Sequence, residues 1–202
     1  MKALVTGFDP FGGDAVNPSY AAVRRLPARL GRLRVVTAEL PTSFARATRR
    51  LLALMARERP DIVLCVGLAA DRDALSVECI AVNWCHARIA DNDGVQPRDK
   101  RVIGRAPAAY FSTLPVAGIV KALGRAGLRA EMSASAGAFV CNHVFYGLMH
   151  EVVKRRRGKR ALCAGFVHVP ALAAAHPAQT LEGMVRGLKI VLRVTQHAIK
   201  RA

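Results

Sequence analysis

Aromatic and acidic residues are scarce in this chain of 202 residues, and its cysteines show no paired spacing. Phe, Trp and Tyr together make up 5% of it, so the core must be built mainly from Ala, Leu and Val. The apolar content of 52% is nevertheless typical of a globular protein and excludes a disordered chain. The length favours a single domain, which we place over residues 1–202.

The cysteines form no CxxC pair and no zinc-like spacing, which argues against a zinc finger or a dithiol redox site. They are odd in number: Cys65, Cys79, Cys85, Cys141 and Cys163. An odd set of unpaired thiols is typical of a reducing compartment. The run Met1 to Gly7 has one Lys and does not resemble a signal peptide. We therefore expect a cytoplasmic protein.

Long apolar runs are also rare. The longest uncharged stretch, Ala161 to Leu181, has the length of a membrane span but contains Pro170, Pro177, His168 and His176. These residues favour a buried strand followed by a loop, so no membrane association is expected.

Acidic residues number 14 against 31 Lys and Arg, which gives a net charge of +17. One interpretation is a nucleic-acid partner. The other is a set of solvated basic faces. The second is favoured because the arginines are scattered, and because the one dense run, Lys154 to Arg160, carries no interleaved aromatic residues for base stacking. We expect no specific nucleic-acid partner.

Short apolar runs alternate with amphipathic segments along the whole chain. This pattern predicts an α/β fold: a three-layer α/β/α sandwich with a mostly parallel mixed central sheet and helices on both faces. The pattern predicts, among others, a helix over Ser19 to Leu30 and a strand over Leu75 to Asn83. A long polar loop is expected over Trp84 to Pro107, and loops of that length are often functional.

Cys141 stands where an apolar stretch turns into a predicted helix, after the small-residue loop Ser135 to Ala138. Free N–H groups at a helix start lower the pKa of a thiol and can hold an oxyanion. A buried structural cysteine is the alternative, and it suits Cys65 and Cys163, which lie inside apolar strands.

Two further residues could serve such a thiol. His168 follows the strand-like run that begins at Ala161, and open α/β sheets bind ligands at the carboxyl ends of their strands. It could act as a general base, or it could be a hydrogen-bonded core histidine. His143 competes for the role, but residues two apart on a helix do not face each other.

Glu78 interrupts an apolar strand, where a carboxylate is costly unless it is paired. It could orient an imidazole, as the acid does in a nucleophile–His–acid triad, or it could face water on an edge strand. The three residues form a Cys–His–Glu candidate in the chain order Glu78, Cys141, His168.

Several ordered motifs resemble the pyroglutamyl peptidase I (pyrrolidone-carboxylate peptidase) family of cysteine peptidases over nearly the whole chain. They are Gly7-Phe-Asp-Pro-Phe-Gly-Gly13 with Asn17-Pro18, the stretch Gly67 to Asn83, Ala87-Arg-Ile-Ala-Asp-Asn92, Ala108-Ala-Tyr-Phe-Ser-Thr-Leu-Pro115, Ala136-Gly-Ala-Phe-Val-Cys-Asn-His143 and Gly165-Phe-Val-His-Val-Pro170.

The resemblance implies that Cys141 is the nucleophile, His168 the base and Glu78 the acid of an omega peptidase, a hydrolase that removes N-terminal pyroglutamyl residues through a thioester. It implies no metal and no cofactor, and a homo-oligomer, either a dimer or a tetramer. It also implies a substrate pocket with Phe8, Phe11 and Phe139 beside the lactam ring. Asn17 would stabilise the N-terminal loop, and Arg88 would lie near the oxyanion or Cys141.

The chain departs from the family pattern at several places. Leu68, Ala70 and Cys79 replace the usual Gln, Gly and basic residue, and Trp84-Cys85-His86 replaces other residues, among them an Asp. Two alternatives accompany the peptidase interpretation, the first motivated by these departures and the second by the net charge of +17. One is a diverged homologue that binds pyroglutamyl-like ligands with little or no turnover, and the other is a basic nucleic-acid-binding protein on the same scaffold.

Overall fold

The computed structural model describes residues 1–155 and 162–201. Most of the basic run Lys154 to Arg160 lies outside these ranges. The strands are β1 (Lys2–Phe8), β2 (Arg29–Leu30), β3 (Leu33–Leu40), β4 (Ile62–Leu68), β5 (Leu75–Glu78), β6 (Ile80–Val82), β7 (Ala109–Phe111), β8 (Ala130–Ser133) and β9 (Cys163–Val169). The α-helices are α1 (Pro18–Val23), α2 (Ala47–Glu58), α3 (Val116–Arg125), α4 (Val140–Arg155) and α5 (Leu181–Arg201), with a 3₁₀ turn at Pro177–Gln179 before α5.

Seven strands form one mixed sheet in the order β2-β3-β1-β4-β9-β5-β8. The pairs β1–β3, β1–β4, β4–β9 and β5–β8 are parallel, whereas β2–β3 and β5–β9 are antiparallel. The expected mostly parallel sheet is confirmed. Its strands β1, β4 and β9 are buried on both faces, as their near-continuous apolar sequences require.

Two apolar clusters cover the two faces of the sheet. On β1, Ala3 and Val5 point to one cluster and Leu4 to the other, as the alternation of side chains along a strand dictates. The first cluster takes the buried faces of α1, α3 and α5, and the second those of α2 and α4. The three-layer arrangement follows from this division. Along the described residues, no helix combines the length and apolar character needed to cross a bilayer.

The predicted helix over Ser19 to Leu30 is wrong in its second half. Helix α1 ends at Val23, and Arg29–Leu30 instead forms the edge strand β2, antiparallel to β3. Pro27 lies between them, and proline disfavours helical backbone at the residue before it. The helix therefore stops short, and the chain turns back to pair with β3.

The predicted strand over Leu75 to Asn83 is two strands in two sheets. The chain leaves the main sheet at Cys79, whose N–H donates to the carbonyl of Ser133 while its own carbonyl accepts from Ser112. Beyond it, β6 pairs antiparallel with β7 in a separate two-stranded ribbon. Glu78 is consequently the last residue of a buried strand rather than part of an edge.

Candidate active site

The structure places Glu78, Cys141 and His168 together at one end of the sheet. Glu78 ends β5, His168 lies one residue before the end of β9, and Cys141 is the second residue of α4. Cys141 and His168 line a cavity of about 390 Å³, and Glu78 is fully buried beside His168. Three segments that are distant in sequence thus converge because β5 and β9 are neighbours and α4 packs on the same sheet.

The Nδ1 atom of His168 lies 2.8 Å from Oε1 of Glu78. Burial opposes ionisation of Glu78, but the hydrogen bond and charge of His168, the Ser133 hydroxyl and the charge of Arg72 outweigh it, and the pKa of the carboxyl lies below its ordinary value. An ionised carboxylate only accepts, so Nδ1 of His168 carries the hydrogen. The Nε2 atom is then free to accept a proton.

The Cys141 thiol is packed against the backbone of β4. A Cβ atom placed on Gly67 would lie 2.8 Å from the Cys141 Sγ atom, and Gly67 is the register partner of His168 across the β4–β9 pair. Burial, followed by the charge of Glu78, raises the pKa of the Cys141 thiol to about 12. The expected lowering of this pKa by the helix start is wrong, because the loss of solvent outweighs the helix. A raised pKa favours the neutral thiol at neutral pH.

The start of α4 leaves backbone donors beside this thiol. The N–H of His143 donates to the carbonyl of Phe139 in the first bond of the helix. The N–H groups before it, including that of Cys141, belong to the first turn, which has no intrahelical acceptor. They are the groups that can hold an oxyanion.

Asn142 fixes the position of that helix start, a role that its sequence position gave no reason to expect. Its Oδ1 accepts from the N–H of Val82 at 3.0 Å, and its Nδ2 donates to the carbonyls of Val82 and Trp84. The side chain is fully buried. It completes the hydrogen bonding of β6 and ties the two-stranded ribbon to α4.

The contact of Arg72 with Glu78 is not evident from the sequence, because Arg72 stands between two aspartates in a stretch that resembles a solvated turn. Its Nη1 donates to Oε1 of Glu78 at 2.9 Å and to the Ser133 hydroxyl at 3.2 Å, and its Nη2 donates to the carbonyl of Ser135. Arg72 also lines the cavity. The available signal was Glu78 itself, since a carboxylate inside an apolar strand requires a charged or hydrogen-bonding partner.

Phe8, Phe11 and Phe139 all line the cavity. The rings of Phe11 and Phe139 lie 6.0 Å apart, and Phe44 meets Phe139 edge-on at 5.3 Å. Phe8 is almost completely buried, with its ring 6.3 Å from that of Phe166. Flat rings on the cavity wall favour a flat ligand over a bulky one.

Asn17 joins this wall to the fold. Its Oδ1 accepts from the N–H of Ser19, which caps α1, and its Nδ2 donates to the carbonyl of Asp9 at 2.9 Å. The hydroxyl of Ser19 in turn donates to Asn17 and accepts from the N–H of Phe8. These bonds hold the loop that carries Phe8 and Phe11 against the helix.

Arg88 is exposed at the rim of the cavity, next to Ile89, on the loop that faces the aromatic wall. This loop is bound to the N-terminal loop through Asn92. The Nδ2 of Asn92 donates to the carbonyl of Pro10 at 2.9 Å, and its N–H donates to the carbonyl of Thr42. The N–H of Thr42 donates to Oδ1 of Asp9 at 2.6 Å. The two loops that contribute Phe11 and Arg88 to the cavity lining therefore share one set of hydrogen bonds.

Three of the residues that depart from the family pattern line the cavity: Leu68, Ala70 and His86. Cys79 is half-buried, and its thiol lies 4.0 Å from the carbonyl of Val77.

His143, the competing base, contacts Thr48 and Phe44 rather than Glu78 or Cys141, and burial lowers its pKa to about 4. In the two described ranges, no cluster of three or more His, Cys, Asp or Glu side chains is arranged to hold a metal ion.

A thiol, an imidazole and a carboxylate grouped in this way are the side chains that a cysteine hydrolase uses. The sequence profile of the pyroglutamyl peptidase family matches residues 1–198. The chain belongs to this family and is a cysteine-type omega peptidase.

Relatives and solved structures agree with the assignment. The chain is 46% identical to pyrrolidone-carboxylate peptidase 1 of Ralstonia nicotianae, over 95% of this chain and 91% of the relative. It superposes on pyroglutamyl peptidase I from Bacillus amyloliquefaciens with a TM-score of 0.90 at 38% identity, covering 96% of this chain and 94% of the other. With pyrrolidone carboxyl peptidase from Thermococcus litoralis the TM-score is 0.91 at 35% identity, covering 99% and 95%.

Proposed function

We propose that this enzyme removes N-terminal pyroglutamyl residues from peptides, with Cys141 as nucleophile, His168 as base and Glu78 as the acid that orients His168. The observation that carries the proposal is the 2.8 Å hydrogen bond between Glu78 and His168 beside a cavity that also exposes Cys141. Family membership supplies the substrate class.

The first step is a proton transfer coupled to attack. The Cys141 thiol is neutral, so Nε2 of His168 takes its proton as Sγ bonds to the carbonyl carbon between pyroglutamate and the next residue. The carbonyl oxygen becomes an oxyanion, which the N–H groups at the start of α4 stabilise. Glu78 stabilises the imidazolium that forms and keeps Nδ1 protonated.

The second step releases the shortened peptide. His168 returns the proton to the leaving nitrogen, the C–N bond breaks, and the pyroglutamyl group remains on Cys141 as a thioester. Water then gives a proton to His168 and attacks the thioester carbonyl. The products are free pyroglutamate and the regenerated thiol, so one water is consumed for each bond cleaved.

Selectivity in this proposal comes from the aromatic side of the cavity. Phe8, Phe11 and Phe139 would flank the flat lactam ring, and Arg88 would lie near the scissile carbonyl. A site that hydrogen-bonds the lactam rejects residues without those groups. Leu68 and Ala70 line the same cavity in place of the usual Gln and Gly, so they set how tightly the ring is held.

The decisive experiment is hydrolysis of a pyroglutamyl-linked fluorogenic amide by wild type and Cys141→Ala, with a prolyl amide as control substrate. We expect release from the pyroglutamyl substrate alone, abolished in Cys141→Ala and reduced to a trace in Cys141→Ser. Near-normal activity in Cys141→Ala would exclude the mechanism. Binding of a pyroglutamyl analogue without turnover by folded, reduced wild type would favour the diverged homologue.

We further propose that the enzyme acts in the cytoplasm as a homo-oligomer, either a dimer or a tetramer. The sequence holds five cysteines, an odd number without a CxxC pair, which suits a reducing compartment. The side chains of Phe111 and Met132 are 74% and 58% exposed, and large exposed apolar side chains favour association. Light scattering on wild type and Phe111→Glu tests this: a monomeric wild type at micromolar concentration would contradict it.

A further inference from the structure

We propose that Arg72 is a positioning residue of the reaction, which holds the Glu78 carboxylate for His168 and balances its charge beside Cys141. The inference rests on the proposed function. It concerns a residue that the mechanism above leaves unused.

The geometry gives Arg72 direct control of the acid. Its Nη1 lies 2.9 Å from Oε1 of Glu78, the same oxygen that accepts from Nδ1 of His168 at 2.8 Å. The carboxylate is fully buried and is held through Oε1, whereas its Oε2 has no hydrogen-bond partner among the described residues. A guanidinium presents its donors in a rigid plane, so it fixes the orientation of a carboxylate better than an ammonium does.

Arg72 is itself held in place from the other side. Nη1 also donates to the hydroxyl of Ser133, and Nη2 donates to the carbonyl of Ser135 at 2.9 Å. Ser133 is the register partner of Glu78 across the β5–β8 pair, and Ser135 opens the small-residue loop that leads to Cys141. Arg72 therefore connects the acid to the segment that delivers the nucleophile.

The charges favour the same role. A buried Glu78 anion beside Cys141 disfavours the thiolate that forms during attack, and the Arg72 cation opposes this effect. The Arg72 cation offsets part of the Glu78 charge at Cys141, so the imidazolium can be stabilised with a smaller penalty on the developing negative charge on Sγ. Arg72 is about one-quarter exposed and lines the cavity, so it lies close enough to act on the reacting groups.

The test compares wild type with Arg72→Gln and Arg72→Lys, using the pyroglutamyl amide. Arg129→Gln is the matched control, because Arg129 pairs with Asp73 on the surface next to the same segment. We expect kcat to fall by roughly 10- to 100-fold in Arg72→Gln, part of the ~10²–10⁴-fold that general acid–base catalysis supplies, with KM little changed. Arg72→Lys recovers part of the loss, and Arg129→Gln retains wild-type activity.

Two pH measurements distinguish this role from a loss of folding. Without Arg72 the pKa of Glu78 rises, so the acidic limb of the kcat/KM profile moves to higher pH. The pKa of Cys141 rises as well, so iodoacetamide alkylation of Cys141 at pH 9 becomes slower. A variant that merely unfolds in part would instead expose Cys141 and accelerate its alkylation.

A double-mutant cycle completes the test. If Arg72 acts through Glu78, then Arg72→Gln costs far less activity in a Glu78→Gln background than in wild type. Equal costs in the two backgrounds, or wild-type kinetics and pH profiles in Arg72→Gln, would overturn the inference while leaving the peptidase activity in place. Absence of any pyroglutamyl hydrolysis by folded wild type would instead overturn the proposed function.

Discussion

The Sγ atom of Cys141 rests against the backbone of Gly67, with no room between them for a methyl group. A Cβ at Gly67 would lie 2.8 Å from Sγ and 2.8 Å from the ring of Phe166. Because Gly67 is also the register partner of His168, this contact places the Cys141 thiol relative to the strand that carries His168, the proposed base.

Gly67→Ala is therefore expected to displace the thiol. We expect kcat/KM to fall by up to ~100-fold, the cost of a displacement of about 1 Å at a reacting atom. Overpacking should also lower the free energy of unfolding by about 1–3 kcal/mol. Steady-state kinetics and urea unfolding measure the two effects. Gly124→Ala is the control, because a Cβ there meets open space; equal activity in the two variants would refute the contact.

The neutral state of Cys141 predicts how the free enzyme reacts with iodoacetamide. Burial raises the pKa of this thiol to about 12, and only the thiolate is alkylated. A raised pKa leaves the thiol protonated below that value, so the alkylation rate should climb continuously from pH 7 to pH 10. Peptide mass spectrometry separates Cys141 from the half-buried Cys79. A rate that is already constant between pH 5 and pH 8 would mean a preformed thiolate–imidazolium pair.

Asn142→Ala is expected to damage stability and catalysis together. The substitution removes three part-buried hydrogen bonds to the backbone of Val82 and Trp84. We expect a loss of about 1–3 kcal/mol in the free energy of unfolding, the usual cost of an unsatisfied buried group. We also expect a lower kcat, since the start of α4 loses its anchor. Chemical denaturation and kinetics test this; unchanged stability would show that water replaces the amide.

Phe11→Ala is expected to weaken substrate binding rather than chemistry. Phe11 lines the cavity and packs 6.0 Å from Phe139, and its loss removes one aromatic face from the ligand. We expect KM for the pyroglutamyl amide to rise by about 3- to 10-fold, or about 0.5–1.5 kcal/mol, with kcat nearly constant. Leu172→Ala, at an exposed position outside the cavity lining, serves as the control. An identical KM in the two variants would remove Phe11 from the substrate site.

Much of this arrangement can be predicted from the sequence because it depends on local pattern. Glu78 breaks an apolar strand, Cys141 precedes a helix, and His168 lies near the end of a buried strand. Each position is therefore marked by its neighbours in the chain. The alternation of strands and helices then brings strand ends together, which is why the mixed sheet with helices on both faces follows from the sequence.

What could not be predicted depends on neighbours that are distant in sequence. Arg72 resembles a turn residue until Ser133 and Glu78 are seen beside it, and Asn142 resembles an ordinary helix residue until β6 is placed. The raised pKa of the Cys141 thiol could not be predicted from the sequence for the same reason. The effect of a helix start can be read locally, whereas the loss of solvent that opposes it comes from tertiary packing.

The hydrogen bonds of Asn92 connect two of the loops that line the cavity. The N-terminal loop with Phe11 and the loop with Arg88 are joined by hydrogen bonds through Pro10, Asp9 and Thr42, so we expect the two loops to move together. We expect this coupling to limit changes in the width of the opening. Differences in ligand preference among such enzymes should then arise from exchanged side chains on a conserved outline, and the lengths of these loops should tolerate little variation.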